Sequence, residues 1–486
     1  MNVGPFIKKL NSNFFWVVLN QVASRLLVAM KFFILARVLG PQSMGILSTL
    51  LLILAMVETF TELGVLQSIV YQKNKILRGQ MHVIWTFNLL RGVVIGMIII
   101  VAAPLLKMIF SFSESIFLII LMAFIPVIRG LSSYNLLLAE RNGLFKKISI
   151  LQVIYILTDF IFSVIVSTVT KNITFVVYSM IFSEGLKTIL SYVFFKGFPK
   201  FSFKFSLIKE NLSYGKWITA NSITIFLLNQ LDKILTSRYL GAYQLGIYQM
   251  ASKLSQFALA DLFSAICRYC FPLFSTYNRK DLKLLNKLFL DILYLVIFGL
   301  TILTTVIFLN AEIITEVLLG KEWMGSVKIF QVLLFSSFIG SINMFLVTYL
   351  RSVGKPNIVT LATTIQLSVF LPASFLAMTH KNLYVLSVVV VFSVLIAFLV
   401  LILYISKLVK DVFKNLFLSL LHSIPIVIIL YIASKVISNI SLLCLSCIVL
   451  MILMVVKIGK VKQVVNFING TKSNKNEKVL DRTQVN

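Results

Sequence analysis

The chain has 486 residues, 59% of them apolar and 13% charged, with a formal charge of +28, whereas soluble domains run to roughly 45–50% apolar and about 25% charged residues. With a mean hydropathy of +0.97, this composition excludes a large soluble catalytic domain, and four cysteines in 486 residues exclude a disulfide-stapled module. In a soluble protein the basic surplus would point to nucleic acid; here its placement points to a membrane and away from nucleic acid.

The N-terminus, MNVGPFIKKL, places Lys8 and Lys9 ahead of an apolar run, as a signal peptide does. That run exceeds the roughly 7–15 residues of a cleaved segment and contains Arg25 and Lys31, which predicts a retained helix. Membrane-crossing helices are expected near 14–36, 45–70, 81–103, 115–137, 148–168, 173–195, 213–236, 246–271, 288–309, 326–350, 358–378, 383–405, 414–434 and 438–456. Pro126, Pro372 and Pro425 fall inside these runs, where membrane helices tolerate kinks. Stretches such as Ile116–Ile125 and Leu383–Leu403 do not alternate, which excludes a transmembrane barrel. The polar tail from Thr471 has no apolar periodicity and is expected to be disordered.

With the N-terminus in the cytoplasm, the inside segments hold 29 of the 45 Lys and Arg residues, including five lysines in 196–216. Outside segments hold seven: Arg37, Lys107, Lys171, Arg238, Lys321, Lys381 and Lys435. One miscounted helix would invert every later loop, so the asymmetry supports an even span count with both termini cytoplasmic.

After the first span the chain reads Arg37-Val-Leu-Gly40-Pro-Gln-Ser-Met-Gly45-Ile46, and after the seventh Arg238-Tyr-Leu-Gly241-Ala-Tyr-Gln-Leu-Gly246-Ile247. Arg, Leu, both glycines and Ile coincide at a constant offset of 201 residues, and glycine suits a tight turn between helices. A weaker echo pairs Leu138-Ala-Glu-Arg141-Asn-Gly143 with Leu350-Arg351-Ser-Val-Gly354-Lys355. Six helices separate the copies, so both run the same way through the membrane, as parallel repeats. The expected organisation is all-α: about 14 transmembrane helices, with one six-helix lobe in 1–200 and another in 201–407. Two further helices in 408–460 and a cytoplasmic tail in 461–486 complete it.

The segments LARVLGPQSMGILSTL, ETFTELGVLQSIVYQK and LLNQLDKILTSRYLGAYQLGIYQMASKL resemble the polysaccharide-transporter (Wzx-type) branch of the multidrug/oligosaccharidyl-lipid/polysaccharide flippases. That resemblance implies a bundle like that of the multidrug-extrusion (MATE) transporters, two lobes around a central cavity. It implies a bacterial inner-membrane flippase that moves an undecaprenyl-diphosphate-linked oligosaccharide, the unit of O-antigen or another surface polysaccharide, by alternating access. Proton coupling follows from the same resemblance, with a polysaccharide polymerase and a chain-length regulator as partners.

Eleven ionisable residues fall well within the expected spans: Arg25, Lys31, Glu58, Glu62, Arg91, Arg129, Asp159, Glu184, Lys187, Lys253 and Asp261. Exposed to lipid at about 3 kcal/mol each they would cost roughly 30 kcal/mol, beyond a stability of about 5–15 kcal/mol. They must pair or line a wet cavity. Gln21 with Arg25, Glu58 with Glu62, and Asn88 with Arg91 share helix faces; so do Gln152, Tyr155 and Asp159, and Gln249, Lys253 and Gln256. Under the resemblance Arg25, Lys31, Arg91, Arg129 and Lys253 would hold the diphosphate. Gln21, Asn88, Gln152, Tyr155, Gln249 and Gln256 would meet the sugars. Glu58 and Asp159 have no basic residue at i,i+3 or i,i+4 and are the first ion-coupling candidates, followed by Glu62 and Glu184. Glu184 and Lys187 are expected to pair locally.

No GxxxxGK[ST] is present, which argues against intrinsic ATPase activity. Cys267-Arg-Tyr-Cys270 and Cys444-Leu-Ser-Cys447 are separate from His82, His380 and His422, so neither a zinc site nor another cofactor is expected. The rival readings are a multidrug or organic-cation antiporter, which would want an acidic cavity, and a membrane polysaccharide polymerase or ligase, which would want a larger external loop.

Overall fold

The computed structural model describes residues 3–62, 78–279 and 281–436. Within them every regular element is helical, as long apolar segments must be when only the chain itself can satisfy its backbone polar groups. In chain order they are α1 (Val3–Phe60), α2 (Arg78–Ile109), α3 (Ile116–Met122), α4 (Phe124–Gly130), α5 (Asn135–Arg141), α6 (Phe145–Thr170) and α7 (Ile173–Phe194). A 3-10 turn (Phe205–Ile208) leads into α8 (Lys209–Ser255), a π segment (Gln256–Asp261), α9 (Leu262–Asn278), α10 (Leu282–Leu309) and α11 (Ala311–Leu318). After a second 3-10 turn (Lys321–Ser326) come α12 (Val327–Ser352), α13 (Pro356–Thr379), α14 (Leu383–Leu408) and α15 (Val412–Val436).

Ten stretches among the described residues are long and apolar enough to cross a membrane, and large side chains such as Val101 (81% exposed) and Val169 (78%) face outward, where lipid would cover them. The chain is a multi-pass membrane protein. Two of those stretches, Asn20–Phe60 and Thr219–Asn278, each contain two expected spans. The first two spans are one helix bent at Gly40 (φ 73°) and the seventh begins a helix bent at Gly241 (φ 80°). The fourth expected span is three short helices, α3, α4 and α5. Pro126 has no N–H for the Met122 carbonyl, and Ala123 instead closes a tighter bond to Ile120 at 3.0 Å. The span expected at 438–456, the tail, Cys444, Cys447, Lys73 and Lys75 lie outside the described residues, as does most of ELGVLQSIVYQK.

The chain forms two compact units. Among the described residues the first comprises 3–62, 78–254, 315–330 and 367–390; the second comprises 255–279, 281–314, 331–366 and 391–436. The second unit has a core of aromatic rings. Phe289 stacks on Phe345 with centroids 5.5 Å apart, Phe274 meets both edge-on, and the Tyr349 hydroxyl donates to Asn286 Oδ1 at 2.9 Å. Beyond it, Tyr294 and His422 Nδ1 are 2.9 Å apart, joining α10 to α15.

In the first unit the two repeated sequences meet. Gly40 and Gly241 take the positive φ that glycine tolerates, while Gly45 and Gly246 are helical and serve a different need. A Cβ on Gly45 would stand 1.7 Å from the Ala242 carbonyl oxygen, and one on Gly246 would stand 2.0 Å from that of Pro41. The bends of α1 and α8 therefore cross with main chain against main chain. The repeated arginines are exchanged across the copies. Arg37 donates to the Val317 carbonyl at 3.0 Å, at the end of α11. Arg238 donates to the Met108 and Ile109 carbonyls at 3.2 and 3.1 Å, at the end of α2. Each supplies a cation to orphan carbonyls at a helix C-terminus.

Candidate functional site

Eight of the eleven intramembrane charges expected from the sequence gather in the first unit: Lys31, Glu58, Glu62, Arg91, Arg129, Asp159, Glu184 and Lys187; Asp261 belongs to the second unit. Close packing brings their helices together: a Cβ on Gly92 of α2 would lie 2.4 Å from the Pro126 carbonyl oxygen of α4, so only glycine permits that approach. Arg129, at the end of α4, then reaches two other helices at once. Its Nη1 is 2.7 Å from Glu58 Oε1 of α1 and its Nη2 is 2.8 Å from Glu184 Oε1 of α7. Glu184 also accepts from the Tyr155 hydroxyl of α6 at 2.9 Å and stands 3.4 Å from Lys187 Nζ. Lys187 lies over the Tyr155 ring, 4.3 Å from its centroid, adding a cation–π contact.

A second pair joins α1 to α6: Lys31 Nζ is 2.7 Å from Asp159 Oδ2, and Lys31 is 5% exposed. Ser163 donates to the other Asp159 oxygen at 3.5 Å. Arg91 serves main chain instead. Its Nε donates to the Thr61 carbonyl at 3.1 Å and its Nη2 to that of Glu58 at 2.9 Å, capping the C-terminal end of α1.

Of these groups Glu58, Arg91, Arg129 and Lys187, together with Glu62 and Asn88, line a cleft of about 430 Å3, where Trp85 and Tyr134 offer aromatic surface; the Lys31–Asp159 pair is not part of its lining. The cleft's cations, Arg91, Arg129 and Lys187, are matched by Glu58 and Glu62 in its lining and by Glu184, which Arg129 and Lys187 hold, so the formal charges of this network cancel. An anion that binds Arg129 must exchange with one of its carboxylates. The pair best placed for exchange is Arg129 with Glu58, whose side chains are 43% and 26% exposed, whereas Glu184 is 5% exposed.

The other sequence-chosen residues lie elsewhere. Gln21 and Arg25 are partly buried on α1, near a 3.1 Å bond from Ser24 to Asn20. Lys253 of α8 stands 3.7 Å from the centroid of the Phe32 ring. Gln249 is partly buried, and its Oε1 has no hydrogen-bond partner. Gln152 and Gln256 are exposed. The expected stripe Gln249–Lys253–Gln256 assumed unbroken α-helical period, but the chain passes into the π segment at Gln256, which shifts the faces of all later residues.

Two buried charges were missed: Asp232 and Lys233, each 7% exposed on α8. Asp232 Oδ2 accepts from the fully buried Tyr248 hydroxyl at 2.6 Å, and Lys233 Nζ donates to Gln230 Oε1 at 3.2 Å and to the Asn229 carbonyl. Their signal was an Asp-Lys step inside an apolar run, hidden within a motif read for resemblance alone.

Residues 34–328 match the protein family described as "Polysaccharide biosynthesis protein". The chain is 22% identical over 265 residues to "Teichuronic acid biosynthesis protein TuaB" of Bacillus subtilis (strain 168), covering 54% of each chain. It is 24% identical over 328 residues to "Lipopolysaccharide biosynthesis protein WzxC" of Escherichia coli (strain K12), covering 66% of this chain and 63% of the relative. The chain thus spans between half and two thirds of these two relatives. Its fold is similar to that of the lipid II flippase MurJ in an inward closed conformation, with a TM-score of 0.72, 13% identity, and coverage of 91% of this chain and 100% of that one.

Proposed function

Because the chain belongs to the polysaccharide biosynthesis protein family, we propose that it is a flippase, a transporter rather than an enzyme. Its cargo would be an undecaprenyl-diphosphate-linked oligosaccharide, carried from the cytoplasmic to the outer face of a bacterial inner membrane. Both termini are cytoplasmic in this reading, and lobes of residues 1–200 and 201–407 alternate access to the substrate. The names of two relatives, which point to teichuronic acid and lipopolysaccharide biosynthesis, support a surface-glycan precursor as cargo.

One observation carries the proposal: Arg129 holds two carboxylates in an accessible, aromatic-flanked cleft. Its fork suits a diphosphate as well as it suits Glu58 and Glu184. The diphosphate displaces Glu58 from Arg129, while Glu184 keeps Lys187 and Tyr155. In this reading the displaced Glu58 is the first ion-coupling candidate, because it is the carboxylate that substrate releases from Arg129. Arg91 lines the same cleft and is the second diphosphate candidate, while Lys31, Arg25 and Lys253 remain candidates away from it. Asn88, in the cleft lining, meets sugar hydroxyls, and Glu62 and Glu184 hold the cations in place.

The test is uptake of a fluorescent lipid-linked oligosaccharide into proteoliposomes with and without a pH gradient. Gradient-stimulated transport by the wild type, lost in Arg129→Gln, supports the reading. Transport of organic cations in place of the lipid-linked sugar, or polymerisation of that sugar, would overturn it.

A further inference from the structure

A second cleft, of about 660 Å3, lies away from the charge network and within the same unit. Its size suits a small-molecule headgroup, whose sites run to roughly 300–1,000 Å3. Lys328, near the start of α12, and Lys381, in the turn between α13 and α14, both line it. Gln244 and Leu240 of α8 form one wall and Asn382 with Tyr384 another. Among the described residues no Asp or Glu lines the cleft.

Both lysines are exposed, and among the described residues neither has an ion pair or a side-chain hydrogen bond. Arg91, Arg129, Lys31 and Lys187, by contrast, all have partners. Two uncompensated like charges converging from separate hairpins attract an anion. By the distribution of Lys and Arg this end faces outward, where the topology rule disfavours cations. Membrane insertion therefore does not account for them.

We propose that this cleft is a phosphate-binding site on the outer face, and that its occupant is the diphosphate headgroup of the translocated lipid. This rests on the translocation reading above. Lys328 and Lys381 take the phosphates as point charges, Tyr384 offers a flat face to the first sugar, and Leu240 meets the start of the lipid chain. The site receives the headgroup as it leaves the central cleft and delays its return.

Lysine acylation footprinting of the full-length protein in phosphatidylcholine nanodiscs tests this, with farnesyl diphosphate as probe. Lys328 and Lys381 should become several-fold less reactive, while Lys321, whose side chain is 87% exposed, should not. The same protection is expected in Arg129→Gln, which separates this site from the central one. In Lys328→Gln/Lys381→Gln, transport should slow by about ten-fold, the effect of losing one or two charge-assisted bonds, with no change in thermal stability. Unprotected lysines with farnesyl diphosphate would overturn the proposal, as would protection by phosphatidylglycerol alone, which would give the site to bulk phospholipid. If the wild type moves no lipid-linked sugar while protection persists, the translocation reading fails and the phosphate site stands.

Discussion

Arg129 bridges two carboxylates that differ in what they keep when it is removed. Glu184 retains Lys187 and the Tyr155 hydroxyl, whereas among the groups bonded to the Glu58 carboxylate Arg129 is the cation. Arg129→Gln should therefore cost about 2 kcal/mol, the scale of one charged hydrogen bond, reduced by the partial exposure of the pair. Adding Glu58→Gln should recover part of that loss, and a double-mutant cycle on thermal unfolding in detergent reads the coupling. Arg129→Lys should keep less than half of transport, because one ammonium cannot span both carboxylates. Lys31 and Asp159 make a drier pair. Lys31→Gln should cost about 3–5 kcal/mol by stranding a carboxylate, and Lys31→Gln/Asp159→Asn should restore most stability in the same melt while transport stays impaired. Only the Glu184–Lys187 contact was legible in the sequence, because its partners are one helical turn apart. Arg129 finds Glu58 and Glu184 across 71 and 55 residues, and Lys31 finds Asp159 across 128. Helical periodicity carries no information about partners on other helices.

The helices were legible where a crossing is continuous and apolar, and illegible where the break is a matter of single backbone atoms. Runs such as 145–170 and 383–408 are whole helices, as length and composition require. The interruption at Ala123 and the π turn at Gln256 leave the composition unchanged, so the sequence expectation ran straight through both. The repeated glycines lie between these cases. Their recurrence was visible, and the positive φ of Gly40 and Gly241 follows from it; the contact made by Gly45 and Gly246 does not, since it needs the other copy in place. Gly45→Ala or Gly246→Ala should drive the two bends apart and abolish recovery of monodisperse protein, because main-chain atoms cannot step aside as a side chain could. Gly299→Ala in α10 is the control. Nothing lies within 4 Å of its added methyl, and better helix propensity should raise the melting temperature slightly, by up to about 1 kcal/mol in free energy.

For the whole chain, orientation is the property that charge placement predicts most directly. In a cysteine-free background, Lys107→Cys and Lys171→Cys should react with an impermeant maleimide added to intact cells. Lys146→Cys and Lys204→Cys should react only after permeabilisation; the opposite pattern would invert the topology and move the second cleft to the cytoplasm. The crossing of α1 and α8 has a mechanical consequence for the charge network. Glu58 lies thirteen residues beyond Gly45, a lever arm of about 20 Å at 1.5 Å per residue. Because the main chains already touch at Gly45, this arm can tilt about the contact but cannot slide through it. A tilt of about 10° carries Glu58 through roughly 3–4 Å by the same helical rise, more than the 2.7 Å separating it from Arg129. A small rotation at the helix crossing is thus enough to make or break an ion pair about 20 Å away.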